Sequence, residues 1–338
     1  MQALNMQGSR LLQYRLAGFT CLLAFVVILM GAYVRLSHAG LGCPDWPGCY
    51  GRLVVPTDPS EVADSFADRQ LHTGKAWKEM IHRYLAGTLG LAILALALLA
   101  WRQRNQPEQP RLLPALLLGL VIFQAALGMW TVTLLVKPAI VTAHLLGGFA
   151  TLALLWLLVL QLRPAKPALS AQAVKAPRTT LWFALLVLIL QISLGGWTSS
   201  NYAALGCSEF PTCYADQWWP AMDFREAFVI WRGLGVNYEF GVLKNDARTA
   251  IHMTHRIGAL ITFLVLGLVA LRLLGLHGSS ILRRLGGLTL GLLLLQLGLG
   301  ITNVLGHLPL PIAVAHNGVA ALLLLTLVTT LRTSRPRA

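Results

Sequence analysis

Charged side chains are scarce in this chain of 338 residues: Asp, Glu, Lys and Arg make up 12% of it, and only 13 residues are acidic. A water-soluble fold of this length would lack the polar surface it needs, which excludes a soluble globular domain. The net charge of +14 sits in short segments between apolar runs. No basic soluble domain is left over, and nucleic-acid binding is excluded with it. The chain has no helical HExxH, so the usual zinc motif of metalloproteases is missing. Cysteine is sparse, five in all, but four of the five fall in two closely spaced pairs.

What remains is apolar. Hydrophobic residues make up 56% of the chain and the mean hydropathy is +0.65. Eight runs are long enough for a membrane-spanning helix of about 20 residues, at 15–36, 79–101, 112–133, 139–162, 179–200, 248–271, 284–304 and 311–331. Gly and Pro within them are tolerated, because neighbouring helices satisfy freed backbone groups. The expected fold is an all-α membrane protein of eight transmembrane helices. One side of the membrane receives Arg10, Arg15, Arg102, Arg104, Arg111, Arg163, Lys166, Lys175, Arg178, Arg272, Arg283, Arg284, Arg332, Arg335 and Arg337 against the single acid Glu108. The other side carries twelve basic and twelve acidic residues. The positive-inside rule therefore predicts that both termini are cytoplasmic, with anionic lipid as the partner of the basic face. The first run leads into Val34-Arg35 without a small-residue cleavage site, so it reads as a span. With no Arg- and Ser-rich transit peptide, a bacterial inner membrane is expected.

The chain is also duplicated. Leu41-Gly42-Cys43-Pro44-Asp45-Trp46-Pro47-Gly48-Cys49-Tyr50 returns 164 residues later as Leu205-Gly206-Cys207-Ser208-Glu209-Phe210-Pro211-Thr212-Cys213-Tyr214. His82-Arg83 returns as His255-Arg256 after 173 residues, and Ala143-His144 as Ala315-His316 after 172. The expected organisation is an N-terminal bundle (1–165), a linker rich in Pro, Ala and Lys (166–178) and a C-terminal bundle (179–338), pseudo-symmetric with four helices each. Two external loops of some 40 residues, about 37–78 and 201–247, carry the cysteine pairs and nearly all the acids. Loops this long exceed what a turn requires and point to function on that side. Phe224 to Phe240 mixes aromatics with charges and reads either as a short interfacial helix or as an ordinary Trp-rich loop.

Four histidines share one depth. His82, His144, His255 and His316 lie 20, 19, 17 and 16 residues from Arg102, Arg163, Arg272 and Arg332, roughly 24 to 30 Å above the inner edge at about 1.5 Å per residue. Ionisable groups at membrane depth face the bundle interior and have a partner or a task. One such His is an ordinary helix–helix hydrogen-bond donor. Four at one level, two per copy, point to metal or haem ligation, and two neutral imidazoles approaching from opposite helices suit haem iron. Zinc would want three or four protein ligands, and each half offers two histidines. Small residues follow the histidines: Ala86 and Gly87, Gly147 and Gly148, Gly258 and Ala259, and Gly318. They could admit a flat macrocycle or simply close helix packing. Arg83 and Arg256 could pair with haem propionates or snorkel to headgroups. In an oxidising compartment Cys43 with Cys49, and Cys207 with Cys213, read as disulfides rather than free thiols. Cys21 reads as a buried apolar residue.

The copies diverge at one informative place. Glu79 precedes His82 by three residues, whereas His252 precedes His255 by three, and each pair shares a helix face. Glu79 reads as a carboxylate able to move a proton or stabilise positive charge beside the first histidine site, or as an interfacial acid paired with Lys75 or Lys78. His252 reads as an interfacial residue, or as one that tunes or replaces a ligand. Asp45, Asp58, Glu61, Asp64 and Asp68 read as a solvated face. His38, His72 and His307 read as surface residues and His277 as part of a cytoplasmic loop.

The segment Gly40 to Gly51, the motif Glu79-Met80-Ile81-His82-Arg83, His144, His255-Arg256-Ile257-Gly258 and His316 resemble the haem A synthase family. The resemblance covers nearly the whole chain. It implies oxidation of the C8 methyl of haem O to a formyl group, giving haem A for terminal oxidases. It also implies that His82 and His144 flank the substrate with Glu79 assisting, that His255 and His316 ligate a haem b, that Cys43 and Cys49 take part in electron transfer or haem handover, and that Cys207–Cys213 is structural. Haem O synthase and oxidase assembly factors are the implied partners, and a homo-oligomer is compatible with the pattern. The alternatives from another class are a di-haem cytochrome b that only carries electrons, or a haem-delivery protein.

Overall fold

The computed structural model describes residues 2–106, 109–163, 178–214 and 216–334, with side chains from Gly8 onward. The expected linker falls almost wholly outside these residues, as do Glu108, Lys166, Lys175, Arg335 and Arg337. Among the described residues the regular structure is helical, including two short 3-10 turns (Pro59–Glu61 and Asp64–Phe66) in the first loop, with two isolated bridges in the loops. The long helices are α1 (Gln2–Leu36), α2 (Thr73–Arg102), α3 (Leu112–Thr133), α4 (Pro138–Leu162) and α5 (Arg178–Ser200). A single turn, α6 (Phe224–Ala227), precedes α7 (Asn245–Leu274), α8 (Ser280–Leu305) and α9 (Leu310–Thr333). Eight of these helices are long and apolar enough to cross a membrane, which makes this a multi-pass membrane protein.

Several helices begin earlier than their apolar runs: α1 at residue 2 rather than 15, and α2 at 73 rather than 79. Hydropathy marks where a helix meets lipid, whereas the helix itself starts where capping allows. Pro138 opens α4, where its missing N–H costs nothing. Ser279 caps α8 by accepting from the Leu282 N–H. Of the two readings of 224–240, a short helix holds only for the one turn of α6, capped by Asp223, and the rest is loop. Beyond it Gly233 and Gly235 take φ of 77° and 78°, a left-handed conformation that ends a helix.

In the first half α1 and α3 each pack on both α2 and α4, which sets α2 and α4 on a diagonal. In the second half α5 and α8 each pack on both α7 and α9, setting α7 and α9 on a diagonal. The halves meet through α1 with α9, α4 with α5, and α4 with α9. These reciprocal contacts are compatible with a pseudo-twofold arrangement. Positions 164 apart also touch each other: Arg35 donates to the Ser199 carbonyl at 2.5 Å, and His38 stacks on Tyr202 at 5.7 Å.

One end of the molecule is solid. Ile93, Leu117, Leu152, Leu155, Leu181, Leu266, Leu273 and Leu323 belong to a continuous apolar core shared by both halves. On each histidine-bearing helix this core starts after the histidine, at Leu89, Phe149, Leu266 and Ala320. The other end is hollow and is roofed by the two external loops.

Candidate functional site: two histidine pairs in one cavity

A cavity of about 2400 Å³ occupies the hollow end and is lined by His82, His144, His255 and His316. It exceeds the roughly 300–1,000 Å³ of a single-ligand pocket. Because His82 and His144 stand on α2 and α4, and His255 and His316 on α7 and α9, each pair comes from diagonally opposed helices. The neighbouring helices make room for the rings with glycines. A Cβ on Gly31 of α1 would lie 3.0 Å from Cε1 of His82, and one on Gly128 of α3 would lie 3.6 Å from Cε1 of His144. Gly195 on α5 and Gly300 on α8 stand in the same relation to His255 and His316, at 3.3 and 3.2 Å. Nδ1 of His82, His144 and His316 is buried with no hydrogen-bond partner.

Glutamines attend three of the four histidines, a feature missed from sequence. Gln124 donates to the His144 carbonyl at 2.9 Å. Gln191 reaches both the His255 carbonyl and Nδ1 at 3.1 Å. Gln296 lies 3.2 Å from Nε2 of His316. Each stands four residues before a ring-facing glycine, so Gln-x3-Gly occurs at 124–128, 191–195 and 296–300. An amide inside an apolar span, recurring at the duplication offset, was the available signal.

The small residues after the histidines divide by role. Gly147 and Gly258 make way for Gln124 and Gln191, and Gly318 for Leu29 of α1. Close packing accounts for those three. Gly87 meets nothing within 4 Å and lines the cavity.

Both disulfides are formed, Cys43–Cys49 and Cys207–Cys213. Cys21 is free and buried. Each bridged loop sits directly on a histidine-bearing helix, because Gly42 and Gly206 have no Cβ to strike the α2 and α7 backbone. The loop then binds the residue at the divergent position. The Cys43 N–H donates to Glu79 Oε2 at 2.9 Å, and the Cys207 N–H donates to His252 Nδ1 at 3.1 Å. Glu79 is 5% exposed and His252 4%. Glu79 therefore lies inside the protein rather than at its rim, and its ion-pair partner is Arg83 at 2.6 Å, not Lys75 or Lys78. His252 is buried where an interfacial residue was expected. Lys75 pairs instead with Glu239 of the second loop.

Arg83 also donates to the Pro47 and Gly48 carbonyls, and Arg256 donates to those of Thr212, Cys207 and Glu209, with its Nε 3.3 Å from His252 Nε2. Both guanidiniums line the cavity while holding the loops down. Glu79 is the one carboxylate among the described residues that line it. Asp45 is no mere solvated acid: it accepts from the Tyr50 and Gly51 N–H groups at 2.6 and 3.0 Å and shapes the bridged loop. Burial raises the Tyr50 phenol above its ordinary range, and its hydroxyl donates to the Gln70 carbonyl. Asp58, Asp64 and Asp68 are exposed and Glu61 is half-buried. His38, His72, His277 and His307 are all exposed, and His38 and His307 also border the cavity. Among the described residues no group of three or more His, Cys, Asp or Glu converges as a metal site, which leaves no zinc-like cluster.

A family model described as cytochrome oxidase assembly protein (COX15-CtaA) matches residues 14–328. The chain belongs to that family. It is 50% identical over 313 residues to the heme A synthase of Shewanella oneidensis, covering 92% of this chain and 93% of that protein. It is 27% identical over 332 residues to the heme A synthase of Mesorhizobium japonicum, covering 90% and 85%, and 24% identical over 302 residues to that of Bacillus licheniformis, covering 88% and 87%. For a member of this oxidase-assembly family, the paired histidines, the bridged loops and the cavity are spanned by the match from end to end.

Proposed function

We propose that the protein is a haem A synthase, a membrane oxidoreductase that converts the C8 methyl of haem O to a formyl group for terminal oxidases. The observation that carries this reading is the pair of diagonally opposed histidine sets in one apolar cavity, of which only the first has a carboxylate beside it. The residues fit haem at both sets: His82, His144 and His316 each have a buried ring nitrogen without a partner, all four rings face glycines, and the space is far more than one ordinary ligand needs.

His82 and His144 hold the substrate haem O, and the C-terminal pair His255 and His316 holds a haem b. When bound, haem b supplies a one-electron relay. Glu79 is positioned by the Cys43 N–H and by Arg83, and serves to move a proton or to stabilise charge developing on the methyl carbon. His252 occupies the corresponding place in the other half and closes its loop without a carboxylate, as suits a site with no chemistry to perform. Each of two successive hydroxylations takes two electrons from the methyl carbon and adds the oxygen of a water with release of two protons. The electrons pass to an external electron acceptor, and the geminal diol then loses water to give the formyl group. Arg83 and Arg256 face the cavity and can meet propionates. Cys43–Cys49, bonded through its backbone to Glu79, takes part in electron transfer or haem handover, and Cys207–Cys213 is structural. Haem O synthase and oxidase assembly factors are the partners that would deliver haem O and receive haem A. The location is a bacterial inner membrane with the sites toward the external side.

The test is to produce the protein in cells that make haem O but lack their own haem A synthase, and to extract the haems. A formyl haem is the expected result. Bound haem O with no formyl product would overturn the enzymatic reading in favour of a carrier or delivery protein.

A further inference from the structure

The four imidazoles are not restrained equally. Gln124, Gln191 and Gln296 each stand four residues before the glycine under a histidine. Gln191 and Gln296 bond the rings of His255 and His316, whereas Gln124 bonds the His144 carbonyl and leaves that ring's Nδ1 without a partner. On α1 the corresponding place, four residues before Gly31, is Val27. No side chain among the described residues hydrogen-bonds the ring or the carbonyl of His82, and its Nδ1 is buried without a partner.

The exchange is matched on the opposing helix. Three residues after His144 and His255 stand Gly147 and Gly258, where a Cβ would come within 2.7 and 2.3 Å of the glutamine amide. Three residues after His82 stands Leu85. Three after His316 stands Val319, and there the amide turns from the carbonyl to the ring. A carbonyl-directed glutamine thus goes with glycine opposite it, and at His82 both positions carry carbon, Val27 and Leu85.

An outer partner that fixes an imidazole sets the ligand's orientation, and losing one weakens metal binding by about 10–100-fold. A resident cofactor must stay, whereas a substrate haem must leave after conversion. We infer that Val27 with Leu85 makes His82 the least restrained of the four ligands and thereby sets the N-terminal site to release its macrocycle while the C-terminal site retains its own. Val27 and Leu85 are positioning residues in this account. The inference rests on the proposed assignment of haem to both histidine pairs.

The test is the rate of haem loss from the purified full-length protein to excess apomyoglobin, followed by absorbance. His82→Ala and His255→Ala identify which kinetic phase belongs to which site. Two phases are expected, with the fast one absent in His82→Ala. The graft Val27→Gln/Leu85→Gly slows the fast phase by about 10-fold or more, and Leu85→Gly alone does not. The reciprocal Gln191→Val/Gly258→Leu speeds the slow phase by a similar factor, and if the graft fails to fold this exchange carries the test alone. Electron paramagnetic resonance of the low-spin haems should narrow at the first site on grafting and broaden at the second on its reciprocal. Unchanged rates in either folded exchange, or a fast phase that survives His82→Ala and vanishes in His255→Ala, would overturn the inference. Formyl haem measured on the same preparations scores the synthase reading separately, since these shifts require haem binding and no turnover. A protein that takes up no haem overturns both.

Discussion

Glu79 and His252 show how one substitution separates two otherwise parallel sites. Both accept a backbone N–H from the first cysteine of the bridged loop, and both lie against the arginine four residues on, as an ion pair at Glu79 and a 3.3 Å contact at His252. Removing Glu79 altogether therefore does two things. Glu79→Ala leaves Arg83 and the Cys43 N–H without their partner in a pair that is only 12% and 6% exposed, a loss of about 3–5 kcal/mol for a buried pair. Thermal unfolding should show it as a lowered midpoint. Glu79→Gln, which keeps an acceptor for the loop, is expected to hold haem O at the wild-type level. Its formyl yield should fall by about 100-fold or more, the usual weight of a lost acid–base group. Extracted haem O that stays abundant beside unchanged haem A would exclude the carboxylate from the reaction. Glu79→His copies the second half and should behave like Glu79→Gln. The i to i+3 relation of Glu79 to His82 was legible in the sequence, and so was its divergence from His252. Its partner was not: Arg83, one turn further along, could as well have reached the headgroups, and hydropathy says nothing of a loop folding back 36 residues to meet it.

Helices and loops were legible to different degrees for a physical reason. Apolar runs report contact with lipid, so all eight spans could be read, whereas α1 and α2 extend beyond their runs into polar sequence. The role of each glycine was not legible, because whether a missing side chain admits a ring, a glutamine or a neighbouring helix depends on what crosses it. Gly31 and Gly87 make opposite predictions. A Cβ at Gly31 would press on His82 at 3.0 Å, so Gly31→Ala should displace the ring and perturb the low-spin spectrum of the N-terminal haem. A Cβ at Gly87 touches nothing within 4 Å, so Gly87→Ala should stabilise α2 by up to about 1 kcal/mol from helix propensity. It should also lower haem content at that site, because the methyl enters the cavity. Equal haem content in wild type and Gly87→Ala would remove α2 at this level from the binding surface. The bridged loops allow a comparable contrast. Opening Cys207–Cys213 by Cys→Ser exchange should cost about 2 kcal/mol, the loop-closure value for so short a ring, with formyl yield retained at permissive temperature. Opening Cys43–Cys49 should cost as much stability and also depress formyl yield.

The two halves interlock rather than merely abut. The second external loop reaches back over the first half, where Lys137 donates to the Gly233 carbonyl and packs on Trp231, and the Tyr238 N–H donates to the Leu135 carbonyl. Arg35 lies over Tyr202 at 4.1 Å and binds Ser199. The hollow end is thus built by both halves and roofed by disulfide-bonded loops, while the solid end carries the arginines. Disulfides persist in an oxidising compartment, and Lys and Arg in short loops are retained in the cytoplasm. Both arguments support the proposed orientation, with the bridged loops on the external side and the arginines in the cytoplasm. Alkaline phosphatase, active only where it can form its own disulfides, should therefore be inactive when fused after residue 334 and active when inserted in the 224–240 segment. A fluorescent protein that matures in the cytoplasm should give the reverse pattern. Phosphatase activity at the C-terminal fusion would turn the molecule over, put the bridged loops in a reducing compartment, and remove the ground for an oxidised Cys43–Cys49 beside Glu79.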